Sequence, residues 1–293
     1  GINAFAITKD AYMAARNIGG EITIDLTGAG AETLDGTVGL GNAGKDGVYT
    51  ITRGDINTTS YGLSFANTET TVKFKDATFK LAKLYVANAG GSLIVDNSVI
   101  GSAYYSGNDG GWVTAGKGSI SINNSVFGAN FSNYTAEELA AMPRSASDVK
   151  AAVEAGTYKY WTFGANNSGP HMGTAGEIAV AGSTLSTSWI SLIDRAEMVL
   201  DNSVLYYGAA ISIGAGQVDN SYGSYNSNEI GWDAQIWWNP VLSSAAGYRE
   251  GEVATLTVKD SIVRNIGNGN GNSGAHVQVG GSYVNGIDKS VTG

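Results

Sequence analysis

The chain has no cysteine, three prolines and two histidines in 293 residues. Without cysteine it can form neither a disulfide nor a thiolate zinc site, and many bacterial surface proteins do without both. Charge is also scarce. Seventeen Lys and Arg stand against 26 Asp and Glu, a net charge of −9, which repels phosphate backbones and anionic headgroups. Nucleic acid is therefore not an expected partner. No apolar run approaches the ~20 residues of a membrane helix, so membrane insertion of this segment is not expected either. The N-terminus lacks the basic-then-apolar pattern of a signal peptide. The chain is expected to be soluble, or a processed or excised piece of a longer protein. What is plentiful points elsewhere: 43% hydrophobic residues suffice for a sizeable core. Forty-two glycines, with abundant Asn, Ser and Thr and little long helix-forming sequence, describe an all-β chain dense in turns.

One phrase recurs. SLIVDNSVIG at 92–101 returns as GSISINNSVFG from 118, AEMVLDNSVLYYG from 196 and ATLTVKDSIVRN from 254. Aligned on the serine of DNS, one column holds Ala77, Ser98, Ser125, Ser183, Ser203, Ser221, Ser261 and Ser282. Three of the spacings are 21, 20 and 21, and longer ones read as multiples of that period or as units carrying insertions. Three residues before the anchor, all eight positions are apolar, from Phe74 through Val95 and Ile122 to Val279. Five before it, all but Gly216 are apolar, and the position between varies freely. That is the period of two of a strand with one face inward. Immediately before the anchor stand Asp76, Asn97, Asn124, Gly182, Asn202, Asn220, Asp260 and Gly281, residues that tolerate a left-handed backbone. Each unit therefore reads as strand, single-residue bend, strand, and stacked units bury their aliphatics in continuous columns. Asn at the bend can pair amide to amide with the coil above.

This pattern resembles right-handed parallel β-helices of the pectate-lyase-like type, including passenger regions of bacterial autotransporter adhesins. The resemblance covers roughly residues 20 to 290 and concerns architecture. It implies a single domain over 1–293, a single-stranded right-handed parallel β-helix or β-solenoid of about 9 to 12 coils. Residues 1–20 would supply an N-terminal helical cap, with Thr8 as N-cap, Ala11, Met13, Ala14 and Ile18 apolar, and Gly19 as terminator. Residues 129–176 break the repeat with two short helices, Thr135 and Glu138 forming a capping box and Pro143 separating the pair. Residues 224–252, containing GWDAQIWWNPV, form an aromatic-rich loop insertion. HVQVGGSYVNG at 276–286 reads as a last coil without a cap, and the natural protein is expected to continue beyond Gly293.

Enzymes of the resembled type imply clustered Asp with Arg, Lys or His near one groove. No such cluster is visible, so no catalytic residue is assigned. His171 in GPHMG and His276 in the last coil have no evident partner by sequence and read as structural. No calcium-loop spacing occurs, GNGNGNSG at 267–274 reads as a flexible loop, and no metal or cofactor is expected. The RGD at Arg53, Gly54 and Asp55 follows a strand and reads as a turn. The candidate ligand-binding residues are aromatic: Tyr104 and Tyr105 after SVIG, Tyr206 and Tyr207 at the equivalent place in another coil, and Trp112, Trp232, Trp237 and Trp238 in loops. Rings outside a solenoid core stack on sugars or anchor proteins; the alternative is packing against the insertions. The expectation is a bacterial protein, extracellular or at the cell surface, acting in adhesion to a host surface, an extracellular glycan or a host protein. The alternatives are a polysaccharide lyase or hydrolase, active or degenerate, and a purely structural stalk.

Overall fold

The computed structural model describes residues 2–5, 8–28, 38–39, 45–64, 70–87, 92–102, 112–116, 119–128, 134–158, 171–174, 176–192, 196–213, 255–265, 276–279, 282–284 and 287–289. Their strands make an all-β, solenoid-like fold dominated by one large parallel sheet. Eleven parallel strands of it curl through 305°.

The coil has three ladders. In the first, Gly20–Asp25 pairs with the start of Gly47–Ser64, which pairs with the start of Thr71–Ala87. Ser92–Asp96, Ser119–Asn123, Glu177–Ala181, Glu197–Asp201 and Thr255–Lys259 then follow in turn. That is eight stacked strands among the described residues, where 9 to 12 coils were expected. Two inward columns run its length: Ile22, Tyr49, Val72, Leu93, Ile120, Ile178, Met198 and Leu256, and beside it Ile24, Ile51, Phe74, Val95, Ile122, Val180, Leu200 and Val258. These are the columns that the period of two predicts, and from Tyr49 to Leu200 their side chains are buried.

The bend follows at once. Arg53, Asp76, Asn97, Asn124, Asn202 and Asp260 have φ between 42° and 52°, and Gly182 has φ 53°. The left-handed backbone turns the chain so that the second ladder can begin. There Phe79, Ile100, Phe127, Leu185, Leu205 and Val263 stack inward. Phe74 and Phe79 meet edge to face across one bend, centroids 5.1 Å apart.

The third ladder has no counterpart in the sequence repeat. It joins Val38–Gly39, the ends of Gly47–Ser64 and Thr71–Ala87, Trp112–Gly116, His171–Thr174, the ends of Thr184–Leu192 and Val204–Ile213, and His276–Val279, all in parallel.

Ser221 lies outside the described residues; among those that are described, Glu197–Asp201 pairs directly with Thr255–Lys259 and the Ser203 N–H donates to Ser261 Oγ at 3.0 Å. Two expectations are corrected. Residues 276–286 are not a further coil. His276–Val279 completes the third ladder of the preceding one, and Ser282–Val284 pairs antiparallel with Ile287–Lys289. The helical insertion ends earlier than 176, since His171–Thr174 is already in the sheet.

Helix α1 (Thr8–Ile18) closes the first coil. Tyr12 and Ala15 are buried in the main core, whereas Ile18, expected on the inward face, is 56% exposed. The Lys45 N–H donates to the Arg16 carbonyl at 3.0 Å, and Gly19, with φ 73°, ends the helix where a Cβ would collide with Lys45. Helices α2 (Ala136–Ala141) and α3 (Ala146–Glu154) form the insertion. Thr135 and Glu138 make the predicted capping box, and Ser145 with Asp148 makes a second.

Candidate functional site

The serines used to align the repeat form a buried spine along the bend. Ser98, Ser125, Ser183 and Ser203 are at most 1% exposed. Each hydroxyl accepts from the anchor N–H of the preceding coil: Ala77 N to Ser98 Oγ at 3.1 Å, Ser98 N to Ser125 Oγ at 2.9 Å, Ser125 N to Ser183 Oγ at 2.9 Å, Ser183 N to Ser203 Oγ at 3.2 Å. Each also donates to the carbonyl two residues back in its own coil, at 2.6 to 2.8 Å. The left-handed bend takes this N–H out of the strand ladders, and a hydroxyl that both accepts and donates satisfies it without a charge. Outside the spine runs the amide edge: Asn97 Nδ2 donates to Asp76 Oδ1 at 2.6 Å, and Asn124 Nδ2 to Asn97 Oδ1 at 3.1 Å.

The α2–α3 insertion docks over this edge across four successive coils. Arg144 donates to Asn97 Oδ1 at 2.8 Å and to the Asn124 carbonyl at 2.6 Å. Burial lowers the Arg144 pKa, yet a guanidinium remains a cation at neutral pH. Thr184 Oγ1 donates to the Arg144 carbonyl at 2.8 Å, and Asn202 accepts from the Ala146 and Ser147 N–H groups, each at 3.0 Å. Beneath lies a second apolar cluster, in which Leu139, Met142, Ala146 and Val149 of the insertion cover Val99, Val126 and Val204, outward positions of the second ladder.

This cluster corrects two candidate residues. Tyr206 and Tyr207, expected at an outer rim, are 5% and 8% exposed, one on each side of a strand as its alternation dictates. Tyr207 belongs to the main core and Tyr206 to the cluster under the insertion. The Tyr206 and Tyr158 hydroxyls bond at 2.9 Å, and burial, followed by that bond, raises the Tyr206 pKa. Neither ring offers a face to a ligand. Trp112, expected in a loop, lies in the third-ladder strand Trp112–Gly116. Tyr104, Tyr105, Trp232, Trp237 and Trp238, with the 224–252 insertion, lie outside the described residues.

The RGD tripeptide has a structural occupation. Arg53 is a bend residue with φ 49° that pairs with Asp25. Gly54 sits where a Cβ would collide with Leu26. The Asp25 carboxyl is held below its ordinary pKa, first by the Thr27 N–H and hydroxyl and then by Arg53.

The structure places on one ladder two residues that looked isolated in sequence. His171 pairs in register with Trp112 on one side and Trp189 on the other. Trp189 pairs with Ala210, and Ala210 with His276. Both histidines of the chain thus share one register position on the third ladder, with two tryptophans. Trp189 escaped the sequence reading because nothing near it marks a bend. Among the described residues, no group of three or more His, Cys, Asp or Glu is placed to hold a metal ion. Comparison with protein-family models, with curated proteins and with solved structures matches this chain to none of them.

Proposed function

We propose that this chain is a right-handed parallel β-helix of the pectate-lyase-like type, serving as a rigid rod at a bacterial cell surface or in the extracellular space. It acts in adhesion, carrying loops to a host surface, an extracellular glycan or a host protein. The observation that supports the reading is the indifference of the stack to what is inserted in it. Ser119–Asn123 pairs residue for residue with Glu177–Ala181 although 53 residues separate them, and Glu197–Asp201 does the same with Thr255–Lys259 across a similar excursion. A scaffold whose register survives such loops is suited to displaying them, since each coil contacts only its neighbours. The right-handed sense follows the near-universal hand of parallel crossovers.

The test is binding by the purified chain to a glycan array and to host cells. Specific retention on either supports the reading. Absence of binding to both, with the fold intact by circular dichroism, refutes adhesion and leaves a stalk. Release of reducing ends or unsaturated products from pectins or glycosaminoglycans would transfer the protein to the polysaccharide-cleaving alternative.

A further inference from the structure

Three of the bend residues are asparagines followed by serine: Asn97–Ser98, Asn124–Ser125 and Asn202–Ser203. Asparagine before a small residue is the ordinary substrate of spontaneous deamidation. The backbone nitrogen of the following residue loses its proton to solvent base and attacks the side-chain carbon Cγ; a C–N bond forms, the Cγ–Nδ2 bond breaks, and Nδ2 takes a proton back and leaves as ammonia. Water then opens the cyclic imide to an aspartyl or isoaspartyl linkage, and is the only co-reactant. The reaction needs a following nitrogen that solvent base can reach and a side chain free to fold onto it. At these bends both are withheld. The Ser98 N–H donates to Ser125 Oγ at 2.9 Å, the Ser125 N–H to Ser183 Oγ at 2.9 Å and the Ser203 N–H to Ser261 Oγ at 3.0 Å, and Ser98, Ser125 and Ser203 are at most 1% exposed. Asn97 and Asn124 themselves are exposed, so their own burial does not shield them. Their side chains are tied instead. Asn97 Nδ2 donates to Asp76 Oδ1 at 2.6 Å, while its Oδ1 accepts from Asn124 Nδ2 at 3.1 Å and from Arg144 at 2.8 Å. Asn202 Oδ1 accepts from the Ser147 N–H at 3.0 Å, and its Nδ2 donates to Ser147 Oγ at 3.1 Å.

We infer that Asn97, Asn124 and Asn202 are deamidation sites held latent by the serine spine, each guarded by the hydroxyl of the next coil. The guard of each asparagine is thus distant in sequence: Ser125 for Asn97, Ser183 for Asn124 and Ser261 for Asn202. A nitrogen that donates to a buried hydroxyl keeps its proton, since deprotonation would break the bond and leave an anion away from water. The amide ladder adds a second restraint, because Cγ reaches the following nitrogen only after the side chain leaves its partners. Lifting the guard at Asn97 has a structural consequence. Deamidation there removes the donor that meets Asp76 at 2.6 Å and sets a second carboxylate in its place, so that an attraction becomes a repulsion between like charges. This inference does not rest on the reading of the rod as an adhesin.

The test is to age the chain at mildly alkaline pH and body temperature and to follow deamidation at each asparagine by peptide mapping with mass spectrometry. The samples are the folded wild type, the wild type in urea, Ser125→Ala and Ser183→Ala. The guard predicts that all three sites react in urea and stay slow in the folded wild type. Ser125→Ala should accelerate Asn97 by about five- to tenfold, the population factor of one net hydrogen bond, and leave Asn124 slow although its own neighbour is the residue changed. Ser183→Ala should accelerate Asn124 and leave Asn97 slow. If either variant fails to fold, Ser261→Ala, at a less buried end of the spine, should accelerate Asn202 alone. Equal rates in the folded and urea-treated wild type overturn the inference. So does a Ser125→Ala variant in which Asn97 is unchanged, or in which Asn97 and Asn124 rise together, since a loosened coil rather than one lost hydroxyl would then be the cause.

Discussion

At the bend, three residues within a stretch of four divide one problem. The Asx or glycine adopts a positive φ, the serine after it supplies the hydroxyl that the displaced N–H requires, and the residue two beyond the serine returns to the core. Ser125→Ala removes the acceptor of the buried Ser98 N–H and is expected to cost about 1 to 3 kcal/mol. It should lower the urea midpoint at unchanged slope. A midpoint within error of wild type would mean that water replaces the hydroxyl. Asn124→Val places a β-branched residue at φ 42° and is expected to cost about 1 to 2 kcal/mol, whereas Asn124→Gly should cost less by the same measurement. The need for an Asx residue could be read from the chain because it is local. The role of the serine could not, since its partner is 20 to 58 residues away.

Among the elements, the α2–α3 insertion decides what the second ladder exposes. Its capping box at Thr135 was legible, as was the break at Pro143. Its docking was not, because the apolar patch it covers is built from Val99, Val126 and Val204 of three coils. Those positions resemble any exposed strand valine until the coils are stacked. Tyr206 couples this docking to pH. Its folded pKa lies above the ordinary value of about 10, so the stabilisation is complete below that value and is lost as pH rises through it toward the folded pKa. Limited proteolysis of the insertion should therefore accelerate above about pH 10, while the strand signal in circular dichroism persists. Tyr206→Phe should flatten this rise, and an unaltered alkaline profile in that variant would assign the effect to other groups.

On the scale of the whole molecule, a solenoid has two ends, and a bare strand edge invites pairing with another chain. Helix α1 covers the first strand through Tyr12 and Ala15. Tyr12→Asp places an unpaired charge in that contact and is expected to free the edge. Concentration-dependent oligomers should then appear by light scattering, where the wild type shows fewer under the same conditions. In the last described strands of the first and second ladders, Val258 and Val263 are 47% and 39% exposed although their columns are buried elsewhere, the burial of an inward residue being conferred by its neighbouring coils.

The sequence by itself determined the inward columns, the bends and the capping box at Thr135, because each depends on alternation or backbone conformation within a few residues. Tertiary structure alone decided which distant segments share a rung. It joined strands separated by 53 residues as neighbouring rungs, raised a third ladder at no fixed distance from the bend, buried Tyr206 and Tyr207, and set His171 in register between Trp112 and Trp189. The physical reason is that register across a loop is fixed by hydrogen bonds between backbones, which are the same for every side chain and leave no mark in the order of residues.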